Sequence, residues 1–296
     1  MKILLFGEQG QLGQELQRSL SPLGDIVALH AGSKPFCGDL NDLAGISSAV
    51  LSIRPDVVVN AAAWTNVDLA ETEPAMVWKV NALAPAALAK AASVIGALMV
   101  HYSSDYVFDG KSKLPWTEVD TPRPLNVYGR SKLEADQLVA SNCANHLIFR
   151  TSWMYSAVGR NFVTTILAKA EAHTDLAVVA DQTGAPTGAD WVADMTAHAI
   201  ADAIGGSEVQ GLYNLAAAGQ TSWHAYACFV IDSARRAGWE LKATPAAVKA
   251  LTSDELRTVA ERPKNSVLDT RKFQSVFRTV PPDWRDGVKR MIARLK

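Results

Sequence analysis

The sequence predicts an α/β chain built on a doubly wound parallel sheet, with a smaller lobe formed by its C-terminal half. Three observations carry that prediction. Apolar runs alternate with helical stretches from Met1 to about Arg150, the alternation that builds a parallel sheet with helices on both faces. The first apolar run passes at once into a glycine-rich turn and then into a helix. At 296 residues the chain can also bury a large core and still form a second lobe.

The elements follow in order. Residues 1–6, Met-Lys-Ile-Leu-Leu-Phe, form a short apolar run of strand type. The turn Gly7-Glu8-Gln9-Gly10-Gln11-Leu12-Gly13 comes next, and Leu12, Leu16 and Leu20 then recur at helical spacing. Residues 26–29 predict a second strand, 42–53 a helix stopped by Pro55, and 56–60, with three valines, a buried third strand. The alanine-rich stretch 74–95 predicts a long helix, 97–102 a fourth strand, 128–140 a helix and 146–150 a fifth strand. Beyond Arg150 the pattern loosens. Residues 181–188 read as a turn-rich loop. Residues 189–203, 222–237 and 285–295 read as helices, and 242–272 as mixed. The expected organisation is a Rossmann-like dinucleotide-binding domain over 1–150 and a mainly substrate-binding lobe over 151–296, with some later helices returning to the first.

Two motifs carry chemistry. Strand, glycine turn and helix is the context a dinucleotide fingerprint needs. Glycine lets backbone N–H groups approach a pyrophosphate, and the positive end of the helix dipole faces it. Here the spacing is G-x-x-G-x-x-G, against the G-x-G-x-x-G of the common fingerprint; the alternative is an ordinary glycine-rich βα turn. In the second motif, Tyr128 and Lys132 stand four apart in Tyr-Gly-Arg-Ser-Lys, and on a helix such positions share a face. An ammonium beside a phenol favours the phenolate and brings a group that titrates near ~10 toward useful acid/base strength. The alternative is an exposed helix with a solvated charge. Ser103 and Ser104 lie upstream, and their hydroxyls can polarise a carbonyl. The turn 7–13 and segments 60–65 and 103–106 all follow predicted strands, so they are expected to converge at the strands' carboxyl ends, where ligands bind in open α/β sheets.

Composition excludes other classes. A net charge of −1 argues against nucleic acid or an anionic membrane as a partner. No stretch approaches the ~20 apolar residues of a membrane span, and nothing at the N-terminus resembles a signal peptide. The three cysteines, Cys37, Cys143 and Cys228, have no metal-like spacing and read as thiols of a reducing compartment. A cytoplasmic enzyme is the expectation.

These residues, with Asn60-Ala61-Ala62-Ala63-Trp64-Thr65, Ser103-Ser104-Asp105-Tyr106-Val107-Phe108, Asn126-Val127-Tyr128-Gly129, Phe149-Arg150-Thr151-Ser152-Trp153, the run 181–187 and Arg262-Pro263-x-Asn265-Ser266, resemble the extended short-chain dehydrogenase/reductase superfamily. The likeness is closest to its family of dTDP-4-dehydrorhamnose reductases, and it runs over nearly the whole chain. The glycine and Tyr-x-x-x-Lys motifs identify only the superfamily. The Ser-Asp-Tyr-Val-Phe run and the Gln-x-Gly-Ala-Pro-Thr loop are much more specific.

The resemblance implies roles. Tyr128 matches the proton donor, Lys132 the lysine that binds the nicotinamide ribose and lowers the tyrosine, and Ser104 the hydroxyl on the substrate's C4 carbonyl. Gly7, Gly10, Gln11, Leu12 and Gly13 match the pyrophosphate turn. Asp39 and Leu40 match the pair beside adenine, and Ala62, Ala63, Trp64 and Thr65 the cofactor channel. Tyr102 matches a further cofactor contact. Asp105, Tyr106 and Trp153 match the sugar-nucleotide side, and Asn81 an asparagine near the catalytic lysine. His30 stands where an NAD-specific fold offers an acid to the ribose hydroxyls. Room is thereby left for a 2′-phosphate near His30, Ser33 and Lys34, and either NADPH or NADH is expected. Glu15 matches a residue of a magnesium-bridged homodimer in some members, and Asp190 stands where that site would use a carboxylate. No C-terminal ligand is assignable, so both are expected to be solvated surface acids. The implied reaction is NAD(P)H-dependent reduction of the C4 ketone of dTDP-4-dehydro-L-rhamnose, a step of dTDP-rhamnose and O-antigen synthesis. The alternatives are a 4,6-dehydratase or epimerase of the same fold and a non-catalytic regulatory subunit. A dehydratase needs an acid pair after the hydroxyl residue, and Ser104-Asp105-Tyr106 lacks the second acid.

Overall fold

The computed structural model describes every residue from Met1 to Lys296. Six parallel strands form the central sheet: Lys2–Phe6, Asp25–Leu29, Val57–Asn60, Leu98–Ser104, His146–Thr151 and Gly211–Asn214. Counted along the chain, their order across the sheet is sixth, fifth, fourth, third, first, second. The first strand therefore lies between the second and the third, and the winding reverses at its edge. That reversal opens a crevice at the carboxyl ends of the first and third strands, where an open α/β sheet binds its ligand.

Val57–Asn60 and Leu98–Ser104 are buried along their whole length, as strands covered on both faces must be. One face is filled by Leu16 and Leu20 of the helix Gln11–Leu20, with Val192, Ala193 and Ile200 of the helix Ala189–Ile204. The opposite face packs Val50, Leu88, Ala92 and Val139. A further core, around Leu167, Tyr226, Val230, Trp284 and Met291, belongs to the later part of the chain. Ala189–Ile204 crosses back onto Gln11–Leu20, and Phe273 and Phe277 join the same core as the first strand.

Differences from the sequence reading have local causes. The sixth strand was not anticipated, because Gly-Leu-Tyr-Asn is four residues long and has no β-branched member. The helix Phe162–Ala172 and the strand Leu176–Val179, which pairs with Val248–Leu251, were also missed. The fourth strand runs on through Ser103 and Ser104, paired with Arg150 and Thr151, although serine is a poor strand signal. The stretch 74–95 is interrupted by a π-turn at Lys79–Leu83. Pro85, just beyond it, has no N–H to return to the carbonyl four residues back.

Candidate active site

The glycine turn is shaped by close approach. Gly7 has φ of +90°, and a Cβ there would lie 2.7 Å from the backbone nitrogen of Ala62. A Cβ on Gly13 would lie 2.0 Å from the Gly7 carbonyl oxygen. Gly10 begins the helix Gln11–Leu20 with no side-chain cap. The N–H groups of that first turn are thus left for another acceptor, and an anion suits them.

The third strand ends at Asn60, whose amide meets Nδ1 of His101 at 3.3 Å. Beyond it, Trp64 donates its backbone N–H to Asn81 Oδ1 at 2.8 Å, and Asn81 Nδ2 donates to the Trp64 carbonyl at 3.0 Å and to Ser131 Oγ at 3.1 Å. Asn81 therefore ties the segment after the third strand to the helix Val127–Asn142, from within a π-turn, a feature frequent at functional sites.

At the end of the fourth strand, Ser104 Oγ accepts the Tyr106 N–H at 3.1 Å and donates to Asp105 Oδ1 at 2.8 Å. Ser152 donates to the other Asp105 oxygen at 3.4 Å. Asp105 is 3% exposed, and burial pushes its carboxyl up to about 6 against the pull of the Ser266, Ser104 and Ser152 hydroxyls.

Asn126 caps the helix Val127–Asn142 by accepting the Gly129 N–H at 2.7 Å. A Cβ on Gly129 would be 2.2 Å from the Tyr106 carbonyl, so the glycine lets this helix dock against the end of the fourth strand. The dock brings Tyr128 to the crevice, with Tyr106 edge-on to it at 5.8 Å and 82°. Lys132 is 3% exposed and donates to the Tyr102 carbonyl.

The expected depression of Tyr128 by Lys132 is not what the structure holds. Burial pushes the phenol up to about 12, Ser104 opposing and the Asp105 charge adding to the rise. Burial draws Lys132 down to about 8, opposed by Asp136. The ammonium is engaged with a carbonyl rather than with the phenol, and desolvation sets the direction for both groups.

A cavity of about 710 Å³ gathers the expected residues. Gly7, Gly10, Gln11 and Leu12 enter it from the glycine turn, and Ala62, Ala63 and Thr65 from the segment after the third strand. Tyr102, Ser104, Asp105 and Tyr106 enter from the fourth strand and its extension, Tyr128 and Lys132 from the helix, and Trp153 from the far wall. An adjoining cavity of about 280 Å³ is lined by His30, Asp39, Leu40 and Trp64, sharing Gly7, Gly10, Ala62 and Ala63 with the first. Gly13 lines neither and acts through the turn.

Asp39 also accepts from the Asn41 backbone at 2.9 Å. His30 Nδ1 accepts the Gly32 N–H at 3.0 Å, and its Nε2 lies 3.7 Å from Glu8. Of the three residues expected around a 2′-phosphate, only His30 lines the cavity. Ser33 Oγ is taken by the His30 N–H, and Lys34 is exposed and away from the wall.

The sequence reading missed Trp223. Its ring stacks on Trp153 at 3.6 Å and 11°, and both face the cavity. Trp153 sits at φ +46°, and a Cβ on Gly184 would come within 2.4 Å of its ring. Trp223 opens a helix capped by Ser222, which a sequence signals as a helix start and not as a cleft wall.

Glu15 and Asp190 do not fit a magnesium ion. Glu15 is 5% exposed, a buried acid where a solvated one was expected, and its oxygens meet Arg18 at 3.1 Å and Arg294 at 3.5 Å. Asp190 faces Arg290 at 3.9 Å, and Arg18 also holds Asp194 at 2.8 Å. Three guanidinium groups stand where a cation would need open carboxylates. A dinucleotide, by contrast, fits. The glycine cradle admits no side chain, the first helical turn is uncapped, and the two adjoining cavities run from that turn to Lys132 on one side and Asp39 on the other.

Strand order, glycine turn and the converging Ser104, Tyr128 and Lys132 define the fold and site layout of an extended short-chain dehydrogenase/reductase. The family model described as "RmlD substrate binding domain" matches residues 1–296. The dTDP-4-dehydrorhamnose reductase of Salmonella typhimurium is 50% identical over 295 residues, covering 100% of this chain and 98% of that one. A crystal structure of a dTDP-4-dehydrorhamnose reductase from Clostridium acetobutylicum superposes with a TM-score of 0.91 at 31% identity, covering 100% of this chain and 99% of that one. The Bacillus anthracis enzyme, crystallised in complex with NADP, gives 0.90 at 30% identity, covering 99% of each chain. The chain belongs to the dTDP-4-dehydrorhamnose reductase family.

Proposed function

We propose that the chain reduces the C4 ketone of dTDP-4-dehydro-L-rhamnose to the alcohol of dTDP-L-rhamnose, using NADPH or NADH. The observation that carries this reading is the single cavity in which Ser104, Tyr128 and Lys132 meet the glycine turn. Gly7, Gly10, Gln11, Leu12 and Gly13 would hold the pyrophosphate. His30, Asp39 and Leu40 would line the adenosine side, Ala62, Ala63, Trp64 and Thr65 the cofactor channel, and Tyr102 and Lys132 the nicotinamide ribose. The bound reduced nicotinamide supplies the hydride. Ser104 hydrogen-bonds the C4 oxygen as negative charge grows on it, and Tyr128 gives that oxygen its proton. Both act only as charge develops, which is where binding energy raises rate. Asp105, Tyr106 and Trp153 would hold the sugar, Trp153 as a flat apolar wall. The reaction is read as cytoplasmic, in keeping with three free cysteines and no helix long and apolar enough to cross a membrane.

Tyr106, edge-on to Tyr128, occupies the place after Asp105 where elimination chemistry would require a second acid. That supports reduction over dehydration. The test is stoichiometric. Incubation with the sugar nucleotide and each reduced cofactor is expected to oxidise one cofactor per sugar. Conversion without net cofactor oxidation would show a dehydratase or epimerase, and no conversion by a folded chain a regulatory subunit. Tyr128→Phe, which removes only a hydroxyl, is expected to cost at least ~10²-fold in turnover.

A further inference from the structure

Beneath the cleft lies a buried ion pair that the reaction scheme does not use. Asp136 and Arg150 have side chains only 4% exposed each, and Arg150 Nε lies 3.0 Å from Asp136 Oδ2. Asp136 stands one helical turn after Lys132, so both project from the same face of the helix Val127–Asn142. Arg150 comes from the fifth strand and rests over the Phe108 ring at 5.2 Å. The Ser103 hydroxyl also faces the Asp136 carboxyl, while Arg150 Nη1 has no hydrogen-bond partner. A pair built only for stability would gain by satisfying that atom or by being replaced with apolar groups.

We propose that Asp136 is a positioning residue for the reduction: fixed by Arg150, its carboxylate is the counter-charge that keeps the buried Lys132 protonated in the working cleft. The proposal rests on the reading of Lys132 as a catalytic residue.

The groups facing Lys132 decide its charge. From the fourth strand come the Tyr102 carbonyl, which accepts its proton, and His101, whose imidazole is held neutral by burial and by the Lys132 charge itself. From its own helix come the neutral phenol of Tyr128 and the Asp136 carboxylate, while Arg130 is exposed and Glu134 partly so. The fifth strand supplies Arg150, which reaches Lys132 only through Asp136. The segments Lys79–Leu83 and Ala84–Ile95 offer the amide of Asn81, and their Lys79 and Lys90 are not buried. Asp105 faces Tyr128. Asp136 is thus the one buried carboxylate on the lysine's own face, and it is the group that opposes the pull of burial on Lys132. Without it, the pull of burial on the Lys132 ammonium goes unopposed.

The test is the pH profile of kcat/KM. With Asp136→Asn, the alkaline limb is expected to move down by at least one pH unit, a tenfold loss at the old limb, while activity near pH 6 stays within about threefold of wild type. Asp136→Glu, which keeps the charge, is expected to restore the limb. Asp136→Ser, which also removes the charge, is expected to lower the limb likewise and decides the matter if Asp136→Asn does not fold. A folded Asp136→Asn or Asp136→Ser whose limb is unmoved, or whose activity falls equally at all pH values, overturns the proposal. Lys132→Met separates the two readings. If it keeps turnover, the lysine's role is wrong. If it is inactive while Asp136→Asn leaves the limb in place, only the role of Asp136 is wrong.

Discussion

Asp105→Asn is expected to make the protein more stable at neutral pH and less active. The carboxyl is 3% exposed, and its folded-state value of about 6 lies about two units above the ordinary 3.8. Each unit corresponds to ~1.4 kcal/mol, so ionising Asp105 in the folded chain costs about 3 kcal/mol more than in the unfolded one. Because the folded value is raised, the unfolded chain gives up its proton first. Stability is therefore untouched below about pH 4, falls as pH rises from there toward 6, and reaches its full loss above. Asparagine carries no charge to desolvate, and its amide can still meet Ser104 and Ser152 at the positions Asp105 now occupies. The gain at pH 7.5 should lie between about 1 and 3 kcal/mol, the lower figure allowing for imperfect rotation of the amide. Urea unfolding of the cofactor-free protein at pH 4.5 and pH 7.5 reads it directly. The variant's advantage should appear at the higher pH and shrink at the lower. An Asp105→Asn chain less stable than wild type at pH 7.5, or an advantage of equal size at both, would refute the reasoning. A buried, costly carboxylate kept in a substrate cleft exchanges stability for function, so sugar-nucleotide turnover should fall in the same variant.

Three other outcomes follow from the geometry. Gly13→Ala drives a methyl into the Gly7 carbonyl and should weaken NADPH binding at least tenfold by fluorescence titration; an unchanged dissociation constant would mean that the turn does not hold the pyrophosphate. Trp223→Ala removes the ring stacked on Trp153 and should raise KM for the sugar nucleotide while leaving cofactor affinity within about twofold, and the reverse pattern would assign Trp223 to the cofactor side. Since Arg18 and Arg294 already neutralise Glu15, EDTA and added magnesium should both leave Tm and turnover unaltered, and a Tm that falls with EDTA and recovers with magnesium would contradict the arginine clamp.

What the sequence made legible was local. The glycine turn, the valine-rich third strand and the Tyr128–Lys132 spacing each announce themselves within a few residues, and their convergence follows from the rule that ligands bind at strand ends. Gly211–Asn214 was not legible, because a short strand at the sheet's edge is held by pairing to His146–Thr151 rather than by its own propensity. Trp223 was invisible for a different reason. Its place opposite Trp153 depends on a helix 70 residues further along the chain, and no spacing rule spans that distance. The burial of Glu15 was hidden likewise, since the Arg294 that meets it comes from the last helix. The acid strength of Tyr128 was misjudged because spacing gives proximity and says nothing of desolvation.

That misjudgement bears on the direction of the chemistry. A tyrosine depressed toward neutrality suits an enzyme that removes a proton from an alcohol, since it must begin as phenolate. Tyr128 raised to about 12 and Lys132 at about 8 are, at pH 7, a neutral phenol and an ammonium. On the proposed reading those are the states with which ketone reduction begins: a donor that still holds its proton, and a cation to stabilise the phenolate it leaves behind. Desolvation, which weakens Tyr128 as an acid, also keeps it loaded. The acid strength lost to burial then has to be recovered as charge grows on the C4 oxygen, when the Lys132 ammonium gains an anion to stabilise. In a low-dielectric site that interaction is worth far more than it would be in water, provided the ammonium is still charged when the proton moves. The buried Asp136 stands beside it to meet that condition.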